Sequence, residues 1–163
     1  MMLDLSGIVN AQGEKLGVDM SIVLDSRYGV DGFTLISPVE LSGFAQNIGG
    51  TLEFFADVKA KISTGCDRCG KTFERALEFE LFEELKKGED DGENPDFVYF
   101  SGTTLEIDEI VYKNLFMNLP MKNLCDEECM GLCTVCGGNL NEGDCGCDRT
   151  EIDPRLAVLD EIK

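Results

Sequence analysis

Not one of the 163 residues is a histidine. That removes the side chain that most often serves as a general base near neutral pH, and the usual nitrogen ligand of zinc. Positive charge is scarce as well: 14 lysines and arginines stand against 32 aspartates and glutamates, for a formal charge of −18. A body this acidic repels phosphate backbones, which argues against broad nucleic-acid binding and suits a basic partner, although acidic surfaces also serve solubility alone. The stretch from Met1 to Asn10 lacks the basic start and long apolar run of a signal peptide, and no apolar run approaches the length of a membrane span. The expectation is therefore a cytoplasmic protein with no membrane partner, whose thiols stay reduced. Glycine-rich phosphate loops, nucleophile elbows and paired-carboxylate sites are missing too, so nothing speaks for an enzyme or for a small-molecule substrate.

What is present in force is cysteine. Six of the eight cysteines fall between Cys125 and Cys147, at Cys125, Cys129, Cys133, Cys136, Cys145 and Cys147; Cys66 and Cys69 form one more C-x-x-C far upstream. Cys66-Asp-Arg-Cys69-Gly70 and Cys133-Thr-Val-Cys136-Gly137 share the form C-x-x-C-G, in which two thiolates converge on one ion and the glycine accepts a left-handed backbone. Without histidine, any metal here is held by thiolates, and a closed set of four is structural rather than catalytic. Eight cysteines make two such sets. The spacing suggests Cys133, Cys136, Cys145 and Cys147 as one, and Cys66, Cys69, Cys125 and Cys129 as the other, for up to two structural zinc ions. A single zinc site with the remaining thiols free is an alternative, as are disulfides and an iron–sulfur cluster, although the bacterial ferredoxin run is absent. Thioredoxin-like chemistry wants its C-x-x-C at a helix N-terminus, whereas the residues after Cys69 read as strand.

The remaining chain reads as α+β: an antiparallel β-rich N-terminal body over 1–120, then a cysteine-rich zinc-knuckle region over 121–163 packed on it. Short apolar pieces at 3–36 read as strands and turns. Ser37-Pro38 punctuates, Val39 to Ile48 forms a further strand, and Gly49-Gly50 gives a hairpin turn. From Thr51 to Ser63, Val58, Ala60 and Ile62 alternate with polar residues. Beyond the first cysteine turn, Leu77, Phe79 and Leu81 alternate with Glu78 and Glu80; a helical reading of Phe73, Leu77, Leu81 and Leu85 competes there. Residues 83–96 are charged and glycine-containing and read as an acidic loop or linker. Phe97 to Phe100 reads as a short strand. Thr103-Thr-Leu-Glu106 resembles a capping box, with Asp108 as another start, for a helix over about 106–119 that carries Ile107, Ile110, Val111, Leu115 and Leu119 and stops at Pro120. Asp153-Pro154 opens a short final helix that would bury Leu156, Leu159 and Ile162.

Lys59, Lys61, Arg68, Lys71 and Arg75 gather within the hairpin that bears the first cysteine turn. They are the candidate contacts for RNA or another partner. The plainer reading is a solvated strand face with cations that screen the thiolates.

Taken together, Cys66-Asp-Arg-Cys69, Leu119-Pro120-Met-Lys, Leu124-Cys125, Cys129-Met-Gly-Leu-Cys133-Thr-Val-Cys136-Gly, Asn139-Leu-Asn, Cys145-Gly-Cys147 and Asp153-Pro-Arg-Leu resemble the YceD family, the bacterial and plastid family of the large ribosomal RNA subunit accumulation protein. The resemblance covers most of the chain, in order. It implies a cytoplasmic, non-enzymatic factor needed for large-subunit rRNA to accumulate, with a ribosomal protein or the large-subunit rRNA precursor as partner. The negative charge favours the protein partner and an adapter role. The alternative is a zinc-supported interaction module with no ribosomal role.

Overall fold

The structure, a computed structural model, describes residues 1–24, 32–89, 92 and 94–148. Among them the chain is strand-rich with a single helix. Its strands are β1 (Met2–Asp4), β2 (Lys15–Ile22), β3 (Phe33–Leu35), β4 (Val39–Ile48), β5 (Thr51–Gly65), β6 (Thr72–Lys87), β7 (Phe97–Phe100) and β8 (Thr104–Glu106), followed by α1 (Ile107–Met117). The chain divides into two compact units: Met1–Thr64 with Phe73–Met121, and Gly65–Thr72 with the residues from Lys122 onward. The second unit thus includes the tip of a hairpin that lies inside the 1–120 stretch.

The first unit is built on one six-stranded sheet in the order β2-β4-β5-β6-β7, with β3 also paired to β5. β5 is long enough to share an edge. Its Thr51 to Lys59 pair with β4, and Ile62 to Thr64 with β3, the two partners being separated by the Ser37-Pro38 break. Alternation produces this strand: Leu52, Phe54, Ala56, Val58, Ala60 and Ile62 all face inward and are buried. One position on β4 has a different constraint. A Cβ on Gly43 would sit 2.0 Å from the Phe55 carbonyl oxygen, so only glycine lets the two backbones approach. A second, two-stranded sheet pairs β1 with β8, bringing Leu3 opposite Leu105. On α1, Ile107, Ile110, Val111 and Leu115 are buried at helical spacing, as the sequence predicts.

Three expectations need correction. The sheet is not wholly antiparallel, because β7 runs parallel to the end of β6, from Glu84 opposite Phe97 to Lys87 opposite Phe100. Only that short stretch pairs, and Phe97 lies back at the level of Glu84, about 10 Å behind Lys87 along the strand. Residues 83–87 are strand rather than acidic loop. Leu85, fully buried, continues the inward row of Leu77 and Leu81 while Glu84 and Lys86 alternate with it. The capping box is not formed. Thr104–Glu106 is β8, and α1 begins directly after it on an extended Glu106 with no side-chain cap. The acidic first turn of Asp108 and Glu109 complements the helix dipole, and Asp108 also takes the charged amino terminus of Met1. The expected final helix lies outside the described residues.

Candidate metal centres

The second unit is organised by its two cysteine turns, which share one backbone pattern. In the first, the Cys66 N–H donates to the Lys71 carbonyl (2.9 Å) and the Gly70 N–H donates back to Cys66 (2.8 Å). In the second, the Cys133 N–H donates to Gly138 (2.8 Å) and Gly137 to Cys133 (2.9 Å). Gly70 and Gly137 have φ of 71° and 73°, the left-handed conformation that a residue with a Cβ resists. In the second turn the fold aims N–H groups at sulfur: Val135 donates to Cys133 Sγ and Gly138 to Cys136 Sγ, each at 3.4 Å.

All eight cysteines are free thiols. They gather into two groups of four, Cys66, Cys69, Cys125 and Cys129, and Cys133, Cys136, Cys145 and Cys147, with the sulfurs of each group within 4.8 Å of one another. These are the groups that the spacing suggests. In the first, Cys66 and Cys129 sulfurs are 3.8 Å apart and those of Cys69 and Cys125 3.6 Å. Four sulfurs at the Zn–S bond length around a tetrahedral ion lie about 3.8 Å apart. An iron–sulfur cluster interposes several irons and sulfides among its ligands and holds their sulfurs farther apart. The residues therefore fit one thiolate-bound ion of the zinc type in each group. The groups differ in depth. Cys66, Cys69 and Cys129 are buried and Cys125 half-buried, whereas only Cys133 is buried in the second group and Cys136 and Cys145 are exposed.

Electrostatics sharpens the fit. The Cys66 thiol is lowered to about 6, chiefly by the N–H of Cys125 and then, against its burial, by those of Cys69 and Arg68. Cys125 is pushed up to about 12 by burial and by the neighbouring Cys66 and Cys69 sulfurs. On Cys69, burial and the Cys66 sulfur outweigh the N–H of Lys71 and leave the thiol raised. The second group repeats the split. Cys133 is lowered to about 6 by the N–H groups of Cys136 and Val135, and Cys147 is raised to about 12 by the Cys145 and Cys136 sulfurs, then by burial. In each group one thiol is lowered by backbone N–H groups, while another resists ionisation because of burial and the sulfurs around it. A cation at the centre reverses that resistance.

Polar side chains brace the first group. The Asp67 N–H donates to the Asn123 carbonyl (2.8 Å), and the Asn123 N–H to Asp67 Oδ2 (2.6 Å). Arg68 Nη1 donates to the Cys129 carbonyl at 2.7 Å. Asn141 donates from Nδ2 to Cys129 Sγ (3.3 Å) and accepts at Oδ1 from the Met130 N–H (2.8 Å). Sequence reasoning attached no role to Asn123 or Asn141. Its one available signal was the Asn139-Leu-Asn string. The five basic candidates are all exposed: Lys59 and Lys61 on β5, Arg75 on β6, Arg68 and Lys71 in the cysteine turn. Arg68 is committed to the Cys129 carbonyl, and Lys59 stands in register with an acid, Glu40.

A strand-rich chain with one described helix and two candidate thiolate metal centres defines the class of protein. Within it, the chain belongs to the YceD family: the family described as "Large ribosomal RNA subunit accumulation protein YceD" matches residues 55–163. The chain is also similar, at 28% identity over 136 residues, to "Large ribosomal RNA subunit accumulation protein YCED homolog 1, chloroplastic" of Arabidopsis thaliana. That match takes in 65% of this chain and 42% of the plant protein, so the chain spans less than half the length of that relative. No solved structure matches it.

Proposed function

We propose that this protein is a non-enzymatic, cytoplasmic factor of large ribosomal subunit biogenesis, which supports accumulation of large-subunit rRNA by acting as an adapter for a basic protein partner. The observation that carries the reading is the family match over 55–163, a span that takes in all eight cysteines. Each group of four holds one zinc ion. Four thiolates close the coordination shell, so the ion shapes a surface and has no position left for water or substrate. A filled site adds a charge of about −2 to an already acidic chain, which strengthens its attraction for a basic protein. Contact with rRNA is local, through Lys61, Lys71 and Arg75, since Arg68 is engaged with the Cys129 carbonyl and Lys59 stands in register with Glu40 among carboxylates.

Cells depleted of the protein and complemented with Cys69→Ser test the reading. Large-subunit rRNA should fall relative to the small-subunit species, while wild-type protein restores it and sediments with precursor large subunits. Normal rRNA after depletion would leave an interaction module with no ribosomal role. Replacing Lys61, Lys71 and Arg75 by alanine should keep zinc and fold but lower rRNA; unchanged rRNA would remove the direct RNA contact.

A further inference from the structure

On the solvent-facing side of the sheet three rings follow one another across neighbouring strands. Phe44 of β4 lies opposite Phe55 of β5 in register, with ring centroids 5.3 Å apart, and Phe82 of β6 is 4.8 Å beyond Phe55. Phe82 is 51% exposed. An outward sheet face ordinarily carries polar residues, so a row of three phenylalanines on it calls for an occupant. The row already attracts a cation: Lys15 Nζ lies 4.5 Å from the Phe44 centroid. Beside the rings is a hollow of about 150 Å³ whose lining includes Phe44, Phe55, Ser42, Asp57 and Glu80. Two further hollows also take in Asp57, one with Glu40 and the other with Glu78 and Glu80, and Lys59 is the one base that lines them. None of these carboxylates is in an ion pair among the described residues.

We propose that this face is the docking surface for a basic segment of a protein partner, with an arginine seated between the Phe44 and Phe55 rings and the carboxylates of Asp57 and Glu80. Charge complementarity identifies the occupant. Carboxylates gathered around an aromatic row repel phosphate and attract cations, which excludes nucleic acid from this face. Arginine suits it better than lysine, because a planar guanidinium stacks on a ring while its fork of donors meets a carboxylate. The inference rests on the reading that the protein works through a basic protein partner, and names the surface that would do so.

Fluorescence anisotropy of the whole protein with a short labelled peptide of alternating arginine and glycine tests it. The arginine peptide should bind, its lysine counterpart more weakly, and a single-stranded RNA oligonucleotide should not compete. Asp57→Asn with Glu80→Gln, both on exposed positions of the sheet, should weaken peptide binding about tenfold. Phe44→Leu, which keeps the apolar bulk but removes a ring that the guanidinium stacks on, should erase the preference for arginine. Glu127→Gln with Glu128→Gln removes the same charge from the other unit and should leave affinity within about twofold. Equal weakening by both pairs, equal affinity for lysine, or competition by RNA would overturn the proposal. Peptide binding through this face alongside normal rRNA in depleted cells would keep the surface and reject the ribosomal role. Absent binding alongside reduced rRNA would do the reverse.

Discussion

In the sheet unit, buried aliphatic and aromatic side chains from nearly every element share one core, among them Leu5, Ile22, Leu41, Phe54, Leu85, Leu105 and Val111. The cysteine unit has no such core among its described residues. Its buried residues are Cys66, Cys69, Cys129 and Cys133, with Asn123 and Gly131, while Met130, Leu132 and Val135 stay exposed. One unit removes apolar surface from water and the other does not. A chain of this kind, with short turns and little to bury, cannot offset the entropy of ordering by the hydrophobic effect and needs a crosslink. Reduced thiols offer that through an ion.

Removing the zinc ions proposed for the two thiolate groups should break the comparison most visibly. Structural zinc in small domains contributes on the order of 10–16 kcal/mol of apparent binding free energy, which is folding free energy for the unit it holds. With a chelator present, the amides of Cys66, Gly70, Cys133, Gly137 and Leu140 should lose their protection from hydrogen exchange, while those along β4 and β5 keep theirs. Zinc analysis of the untreated protein should give close to two ions per chain, consistent with the two sulfur groups. Retained protection of the cysteine-turn amides after chelation would mean that hydrogen bonds alone support this unit.

How much of this was legible beforehand follows from what each element depends on. β5 announced itself because one face is buried along its whole length and its alternation is unbroken. The end of β6 did not, since Glu83, Glu84, Lys86 and Lys87 surround Leu85 and the local composition is that of a loop. β8 was concealed by a capping-box string, and what decides it is the distant pairing of Leu105 with Leu3, which no window of sequence contains. The group of Cys133, Cys136, Cys145 and Cys147 was readable because its ligands fall in one short stretch, and the distant group followed as the four cysteines that remained. Asn141 was not, because its contact with the Cys129 sulfur depends on how one loop folds over another.

Damage to the apolar core should be smaller than loss of the ions, and of the opposite kind. Phe54 is fully buried, so Phe54→Ala should cost about 3–5 kcal/mol of stability in the sheet unit through lost burial and the cavity left behind. Gly43→Ala should also be severe, because its Cβ would collide with the backbone of Phe55 and Ala56 and that backbone has nowhere to yield. Denaturant unfolding followed in the sheet should register both losses, with zinc content unchanged. A Gly43→Ala protein as stable as the wild type would show that β4 and β5 can separate without cost.

The smallest effect belongs to Arg68, and it decides whether that residue is a brace or a partner contact. Its guanidinium donates to the Cys129 carbonyl at 2.7 Å and to that of Glu127 at 3.4 Å, joining the first cysteine turn to the loop that carries another ligand. Arg68 is exposed, so water competes for the bond, and Arg68→Ala should cost only about 1 kcal/mol. Because the bond ties Cys129 to the Cys66–Cys69 turn, the loss should appear as faster removal of one zinc by a competing chelator, with the stability of the sheet untouched. Arg68→Lys should restore part of the retention, since an ammonium can donate to the same carbonyls but lacks the fixed donor geometry of the planar guanidinium. Unaltered zinc retention in Arg68→Ala would leave the guanidinium free of any bracing role and return it to the set of basic residues available to a partner.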